Sequence, residues 1–516
     1  MMPQFRHAHR GTLTACTLAL FASVSLASPL SAHGEAVRAY GSGSPGSGAA
    51  VPSLWCNSTP RPGNNAFALE IEGGLGGAPA ITYMSPNSAD LTISGLRLLV
   101  DLTIAVPLPV VVLQGSGNGN GNATLQAPLP NLAVLEGLPL HFQTYVLDTG
   151  GQWLGFSATQ GLRTVGHAAG FLLAAPSARI DLPTNNVTSF GGSNTGSANA
   201  IAMSPDCSTV FVAGRLPGGP GAAIFDATQS TLPYVKTFPV VDTGTNPWTA
   251  AVTPDGSRIY LANQGPSTTT PKVECFYARP STLAGTPFPG PTIDPGSLST
   301  IRIEFTKDSK TGYVSTLGIG GSPAVFRYDT DPASTTFHQR NGTTTFSGKF
   351  VWDARISPDD TKLYVSVAAL GSVGEIAVVD AKTMQVLDWD PGAPGIQNIG
   401  KEVTLPVTPL GRVCWSVAVG PRHRYLYISV SGSVSGPARF VRVNVDPTSP
   451  DYRKFVVYTT GLATNDTLYN VLISPAGDTA YLVIGSTKKL HEIDTATMTQ
   501  RRVFTLLSAP KEMVYR

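Results

Sequence analysis

Two acids and two bases stand at matching positions of consecutive sequence repeats: Arg302 and Glu304 in 301-IRIEFTKDSKTGY-313, Asp353 and Arg355 in 352-WDARISPDDTKLY-364. An arginine can grip an anion through two parallel hydrogen bonds, and a neighbouring carboxylate can act as a general base. The same four groups can also satisfy one another as an ion-pair network between adjacent strands. Two positive and two negative charges balance, which favours the network.

Aromatic residues open four segments of this kind: Trp248, Trp352, Trp415 and Tyr469, the last followed by Asn470. At a channel mouth they could stack on a sugar or another flat ligand, since such rings offer large contact area at low entropy cost. Packing between neighbouring repeats is the competing and favoured reading. These five residues form the candidate ligand-binding set, and the four charges are the catalytic candidates if the protein is an enzyme. No GxSxG elbow, HExxH, P-loop or EF-hand loop is present, so the common hydrolase, nucleotide and calcium chemistries lack their parts. Gly41-x-Gly43-x-x-Gly46 has the spacing of a dinucleotide fingerprint, but no strand is predicted before it and no helix after it.

Six segments must position these side chains: 199-NAIAMSPDCSTVF-211, 248-WTAAVTPDGSRIY-260, 301–313, 352–364, 415-WSVAVGPRHRYLY-427 and 469-YNVLISPAGDTAY-481. Each reads as a strand, a Ser/Thr-Pro-Asp type of turn and a second strand. The turn column, Pro205, Pro254, Lys307, Pro358, Pro421 and Pro475, recurs at intervals of 49 to 63 residues. A β-rich unit of that length is a propeller blade. Third strands ending in an acid or a turn come next in most units, as in 376-IAVVDAKTM-384 and 490-LHEIDTATM-498.

Together these parts resemble the YVTN-type repeat, with 254-PDGSRIYLAN-263 and 358-PDDTKLYVSV-367 as the nearest copies. The resemblance implies a propeller of the lactonase-like superfamily, in which the first strand of each unit is innermost. A lactonase-like site would place His, Arg and Glu at the channel, and here only Arg and Glu are candidates. Residues 510-PKEMVY-515 read as the inner strand of a further blade, completed by 171-FLLAAP-176 and 178-ARIDLP-183. Pairing the termini this way closes the ring and removes exposed edges. The expected fold is therefore all-β: a seven-bladed propeller over 168–516, with six blades as the alternative, preceded by a β-sandwich.

That sandwich is expected over 51–166, where short apolar runs such as Ala80–Met84 and His141–Leu147 alternate with turn clusters, and 115-GSGNGNGN-122 reads as a hairpin or a loop. Segments 40-YGSGSPGSGAAVPSL-54 and 128-PLPNLAVLEGLPLHFQTYVLD-148 resemble an uncharacterised, non-catalytic Gly/Pro-rich module of bacterial secreted proteins. Residues 37–50 read as a linker and 1–36 as a signal peptide and leader, with Arg6 and Arg10 ahead of an apolar run and cleavage after Ala27, with Ala32 or Ala36 as later options. Export leaves Cys56, Cys207, Cys275 and Cys414, either as disulfides or as buried thiols.

Charged residues make up only 13% of the chain and the formal net charge is +2. With no basic run, nucleic acid is not an expected partner. The most apolar internal run, Leu96 to Leu113, is interrupted by Arg97, Asp101, Pro107 and Pro109, so no membrane span is expected. The expectation is a secreted or cell-surface monomer that binds a small molecule, glycan or protein without cofactor or metal. The alternative is an exported lactonase-like hydrolase using Arg302, Glu304, Asp353 and Arg355.

Overall fold

A computed structural model describes residues 37–516 except 59, 61, 133–134, 136–137, 167–170, 176, 183–185, 206–207, 228–230, 242–244, 266–271, 280, 370–373, 393–394, 397, 400–413, 433–436, 509–511 and 516. The leader with its cleavage site, and Cys207, lie outside the described residues. The described elements are strands and three short 3-10 turns, and no described helix is long and apolar enough to cross a membrane.

From Phe171 onward the strands form seven small antiparallel sheets. Their inner strands are Ser197–Met203, Asn246–Val252, Thr300–Phe305, Phe350–Ile356, Cys414–Val419, Leu468–Ile473 and Met513–Tyr515. Each inner strand neighbours the next, and the last neighbours the first, so the sheets form a closed ring. In the closing sheet the C-terminal strand pairs with a strand from the start of the array: Leu172 with Tyr515, Leu173 with Val514 and Ala174 with Met513. Unit two has three strands, and isolated bridges Val273–Ile293 and Phe276–Pro287 take the place of the fourth.

Local chemistry explains why the repeats turn where they do. In the first turn of a unit a hydroxyl and an acid lock the loop: Thr253 Oγ1 bonds Asp255, Ser357 Oγ donates to Asp359 and Ser474 Oγ to Asp478. One residue of this turn must be left-handed, and that column holds Gly256, Ser309, Asp360, His423 and Gly477. Apolar faces then pack from sheet to sheet. Ala200, Ala202 and Phe211 of unit one, for example, share a core with Ala250 and Ile259 of unit two.

Every inner strand of the six aligned units carries a β-bulge at the same place. The skipped residues are Asn199, Trp248, Ile301, Trp352, Trp415 and Tyr469, the column that opens each segment. A bulge re-aims the side chain it carries, so the column points differently from the regular alternation beyond it.

Upstream, two antiparallel sheets share one apolar core that includes Leu54, Phe67, Ile71, Phe142, Val146 and Leu162. Two sequence readings change here. Residues 37–50 are not a plain linker, because Val37–Tyr40 is an edge strand paired with Gly161–Val165. A strand therefore does precede Gly41-x-Gly43-x-x-Gly46. The glycines lead into a single 3-10 turn, Ser47–Ala49, whose Ser47 N–H bonds the Asp148 carboxylate at 2.9 Å. The anion at that turn is the chain's own. Finally, the glycine run is a hairpin closed by Gln114 and Asn122, whose backbones exchange hydrogen bonds at 2.7 and 2.9 Å, and it is strand as well: Gly117–Gln126 pairs with Ala68–Gly76. A Cβ on Gly121 would sit 2.7 Å from the Leu75 carbonyl oxygen, so the two glycine stretches can approach only because side chains are missing.

Removing the closing strand by ending the chain at Ser508 should cost about 3 kcal/mol or more, given the burial of Met513 and Val514. It should also promote self-association through the bared edge of Phe171–Ala174. Calorimetry and size-exclusion chromatography check this; an unchanged, monomeric protein would show that closure contributes nothing.

Candidate functional site

All four charged candidates come together, with a fifth group that the repeat columns did not reveal. Arg302 Nε donates to Asp353 Oδ1 at 3.0 Å, and its Nη1 reaches Glu512 Oε1 at 2.5 Å. Arg355 donates through Nη1 to Glu304 Oε1 at 3.1 Å and through Nε to the Val417 carbonyl at 3.1 Å. Asp353 is the hub, only 2% exposed. Its carboxylate also accepts bonds from Ser416 Oγ, the Val417 N–H and the Ala354 N–H, each at 3.0 Å. Glu512 takes the Ile201 N–H at 3.1 Å, tying the closing strand to unit one.

Three carboxylates thus face two guanidinium groups, and the neutral balance inferred from Arg302, Glu304, Asp353 and Arg355 does not hold. Glu512 is within reach of sequence reasoning. The tail reads as an inner strand, and Glu512 is its acidic residue next to Met513, but it lies outside the six aligned columns. Electrostatics separates the three acids. For Asp353, burial opposes ionisation, but Arg355 and Arg302 outweigh it with help from the Val417 N–H, and its pKa falls below the usual value. For Glu304 and Glu512 burial wins over the same two arginines, and both pKa values rise. Burial also opposes the charge of Arg302, yet Asp353, Glu512 and Glu304 hold it firmly protonated.

The cluster borders a cavity of about 670 Å³ in the channel. Arg302, Glu304, Arg355, Glu512 and Asn470 line it, while Asp353 sits behind them. Asn470 occupies the same strand position as Arg302 and Asp353 and is 4% exposed. Above this base stands a ring contributed two residues before each turn: Met203, Val252, Phe305, Ile356, Val419 and Ile473. The rim carries the turns themselves, with exposed Lys307, and the upstream sheets contribute Val37, Arg38, Ala39 and Trp55.

The aromatic candidates lie elsewhere. Trp352 and Trp415 have ring centroids 4.7 Å apart, and Trp415 meets Tyr469 edge-on at 5.9 Å. These three rings pack on one another across units four to six, and neither they nor Trp248 line the cavity. Of the five predicted ligand-binding residues, Asn470 alone borders it.

Unit five departs from the turn pattern at 421-PRHR-424, and the departure has a partner. Arg422 pairs with Glu70 and, at 3.4 Å, with Glu72; Arg424 pairs with Glu72 at 2.9 Å. The Arg422 guanidinium also lies 5.7 Å from the ring centroid of Trp55, whose indole N–H donates to the Ala476 carbonyl at 3.0 Å. The upstream sheets are therefore latched onto units five and six. His423, in the same turn, bonds Tyr364 at 2.9 Å and Asp359 at 3.1 Å, matching the structural pairing of His338 with Tyr260. Cys56, Cys275 and Cys414 are buried and unpaired, and burial pushes each thiol up to about 12. Among the described cysteines the buried-thiol reading holds.

No protein-family model matches the chain, and no curated protein sequence matches it. Solved structures do resemble it. A periplasmic gluconolactonase of Pseudomonas aeruginosa is 14% identical with a TM-score of 0.47, covering 67% of this chain and 99% of that one. Kuenenia stuttgartiensis hydrazine synthase is 17% identical with a TM-score of 0.44, covering 58% and 76%. The Cps50 β-propeller domain of Myceliophteria thermophila is 10% identical with a TM-score of 0.41, covering 60% and 86%.

Asp353→Asn should cost about 3 kcal/mol at neutral pH, because two buried arginines lose their shared counter-charge. A depressed pKa contributes stability above the unfolded aspartate value and loses it as pH falls through the folded one, so the variant's stability should depend less on acid pH. Urea melts across that range test both points. Arg422→Ala should weaken docking by about 1–2 kcal/mol, the sum of partly exposed ion pairs and the contact with Trp55. Limited proteolysis between the two parts reads this out, and unchanged cleavage would dismiss the latch.

Proposed function

We propose that this is a secreted or cell-surface binding protein, a propeller whose channel cavity holds a small ligand and which does no chemistry on it. The observation that carries this reading is the mutual engagement of the charged groups. Asp353 is saturated by donors, Arg302 is held between two carboxylates, and Arg355 is held by Glu304 and a backbone carbonyl. A catalytic acid or base needs freedom to exchange its proton with substrate, and a network locked in this way serves better as a rigid polar floor. A cavity with apolar walls and a few convergent polar groups has the make-up of a ligand site. The export reading rests on the basic and apolar layout of residues 1–27.

One observation favours the second reading, an exported lactonase-like hydrolase. Glu304 borders the cavity, and its raised pKa brings it nearer the working range of a general base. The purified mature chain should turn over none of a panel of aliphatic and sugar lactones above the buffer rate. Turnover that disappears in both Glu304→Gln and Arg355→Ala would replace the binding reading with the hydrolase.

A further inference from the structure

Hydrogen-bonding capacity remains unused at the cavity floor. Glu304 accepts Arg355 on Oε1, and among the described residues no hydrogen bond reaches its Oε2. Arg355 likewise uses Nε and Nη1, leaving Nη2 without a hydrogen bond among them. Both side chains retain about a fifth of their exposure, 20% for Glu304 and 23% for Arg355, and both line the cavity. The floor also carries one carboxylate more than its guanidinium groups can neutralise. Burial raises the pKa values of Glu304 and Glu512 against the pull of Arg302 and Arg355, so holding either carboxylate charged in this site carries a desolvation cost.

Above the floor the wall is apolar. Met203, Val252, Ile356, Val419 and Ile473 are only partly buried, because their remaining surface faces the cavity. The distance from Glu304 to the turn at Lys307 is three residues of extended strand, about 10 Å. That depth accommodates a linear chain of roughly eight to ten atoms standing on the floor. At the opposite end the rim carries Arg38 and Lys307 against one carboxylate, Asp360, a net positive charge that draws an anionic head to the mouth and a cationic one to the floor.

We infer that the cavity binds an apolar ligand bearing a primary ammonium group, seated with the ammonium on Glu304 and the hydrocarbon against the ring of apolar residues. This rests on the binding reading and gives it a ligand class. An ammonium has three donors and one positive charge, so it can use the open Glu304 oxygen and cancel the excess charge together. It would also relieve the cost of ionising Glu304. The upstream sheets complete the site, since Val37, Ala39 and Trp55 border the cavity from above.

Three probes of equal chain length, octylamine, octan-1-ol and octanoate, titrated calorimetrically into the full mature chain at neutral pH separate the possibilities. Octylamine should bind, octanol about tenfold or more weakly, and octanoate more weakly still, as a buried charge-assisted hydrogen bond predicts. Glu304→Gln should reduce octylamine to the level of octanol without changing octanol itself. Arg355→Gln, which deepens the negative excess, should tighten octylamine, whereas general damage to the site would weaken every probe. Octanol or octanoate binding as well as octylamine, or octylamine unaffected by Glu304→Gln, overturns the ammonium assignment and leaves the binding reading standing. Failure of all three probes overturns the binding reading itself.

Discussion

The ring depends on three backbone pairings made between residues more than three hundred positions apart. Leu172, Leu173 and Ala174 take up Tyr515, Val514 and Met513, and without them the closing sheet would lose its inner strand and present the edge of Phe171–Ala174. The consequence reaches beyond stability. Beside that strand stands Glu512, which bonds the backbone of Ile201 on one side and Arg302 on the other. Closure and the charge state of the channel floor are therefore one construction. A polar network of this kind is costly to leave half-made, so its completion couples the termini to units three and four.

Regular positions of the repeat build the frame, and the irregular ones are put to use. The hydroxyl-acid turns, the left-handed turn residue and the bulge recur because each solves a local problem of a short four-stranded sheet. Where the pattern breaks, a second part of the molecule is found. Charges in units three and four form the floor with Glu512. In unit five Arg422 replaces the usual turn acid, and with Arg424 it meets Glu70 and Glu72 of the upstream sheets. The upstream sheets thus sit over the turn side of the channel, where the apolar ring ends.

Several elements are legible in the sequence because they depend on neighbours in the chain. The strand-turn-strand units appear where the segments predict them, as does the tail strand, since alternation and Pro-Asp turns are local signals. Other features are decided by nonlocal partners. The glycine run 115–122 is legible as a hairpin, but its further pairing as strand from Gly117 onward exists because the glycines of Gly74–Gly76 lie opposite it. Residues 37–50 look like a linker until Val37–Tyr40 finds its partner across more than a hundred residues. The aromatic column packs between repeats, as its favoured reading has it, and what the sequence leaves out is the bulge at that position that directs Trp352, Trp415 and Tyr469 to each other.

By itself the sequence determined the architecture, all-β and repetitive, and pointed to the four charges that break the repeat. Period, turn chemistry and alternation are encoded within a few residues and survive without knowledge of the whole. The tertiary structure decided what those charges are worth. It set Glu512 beside Arg302, left Glu304 with an open oxygen toward a cavity and buried Asp353 among donors. Each outcome depends on which groups lie within a few ångströms in a low-dielectric interior, and that proximity is created only when distant strands close the ring.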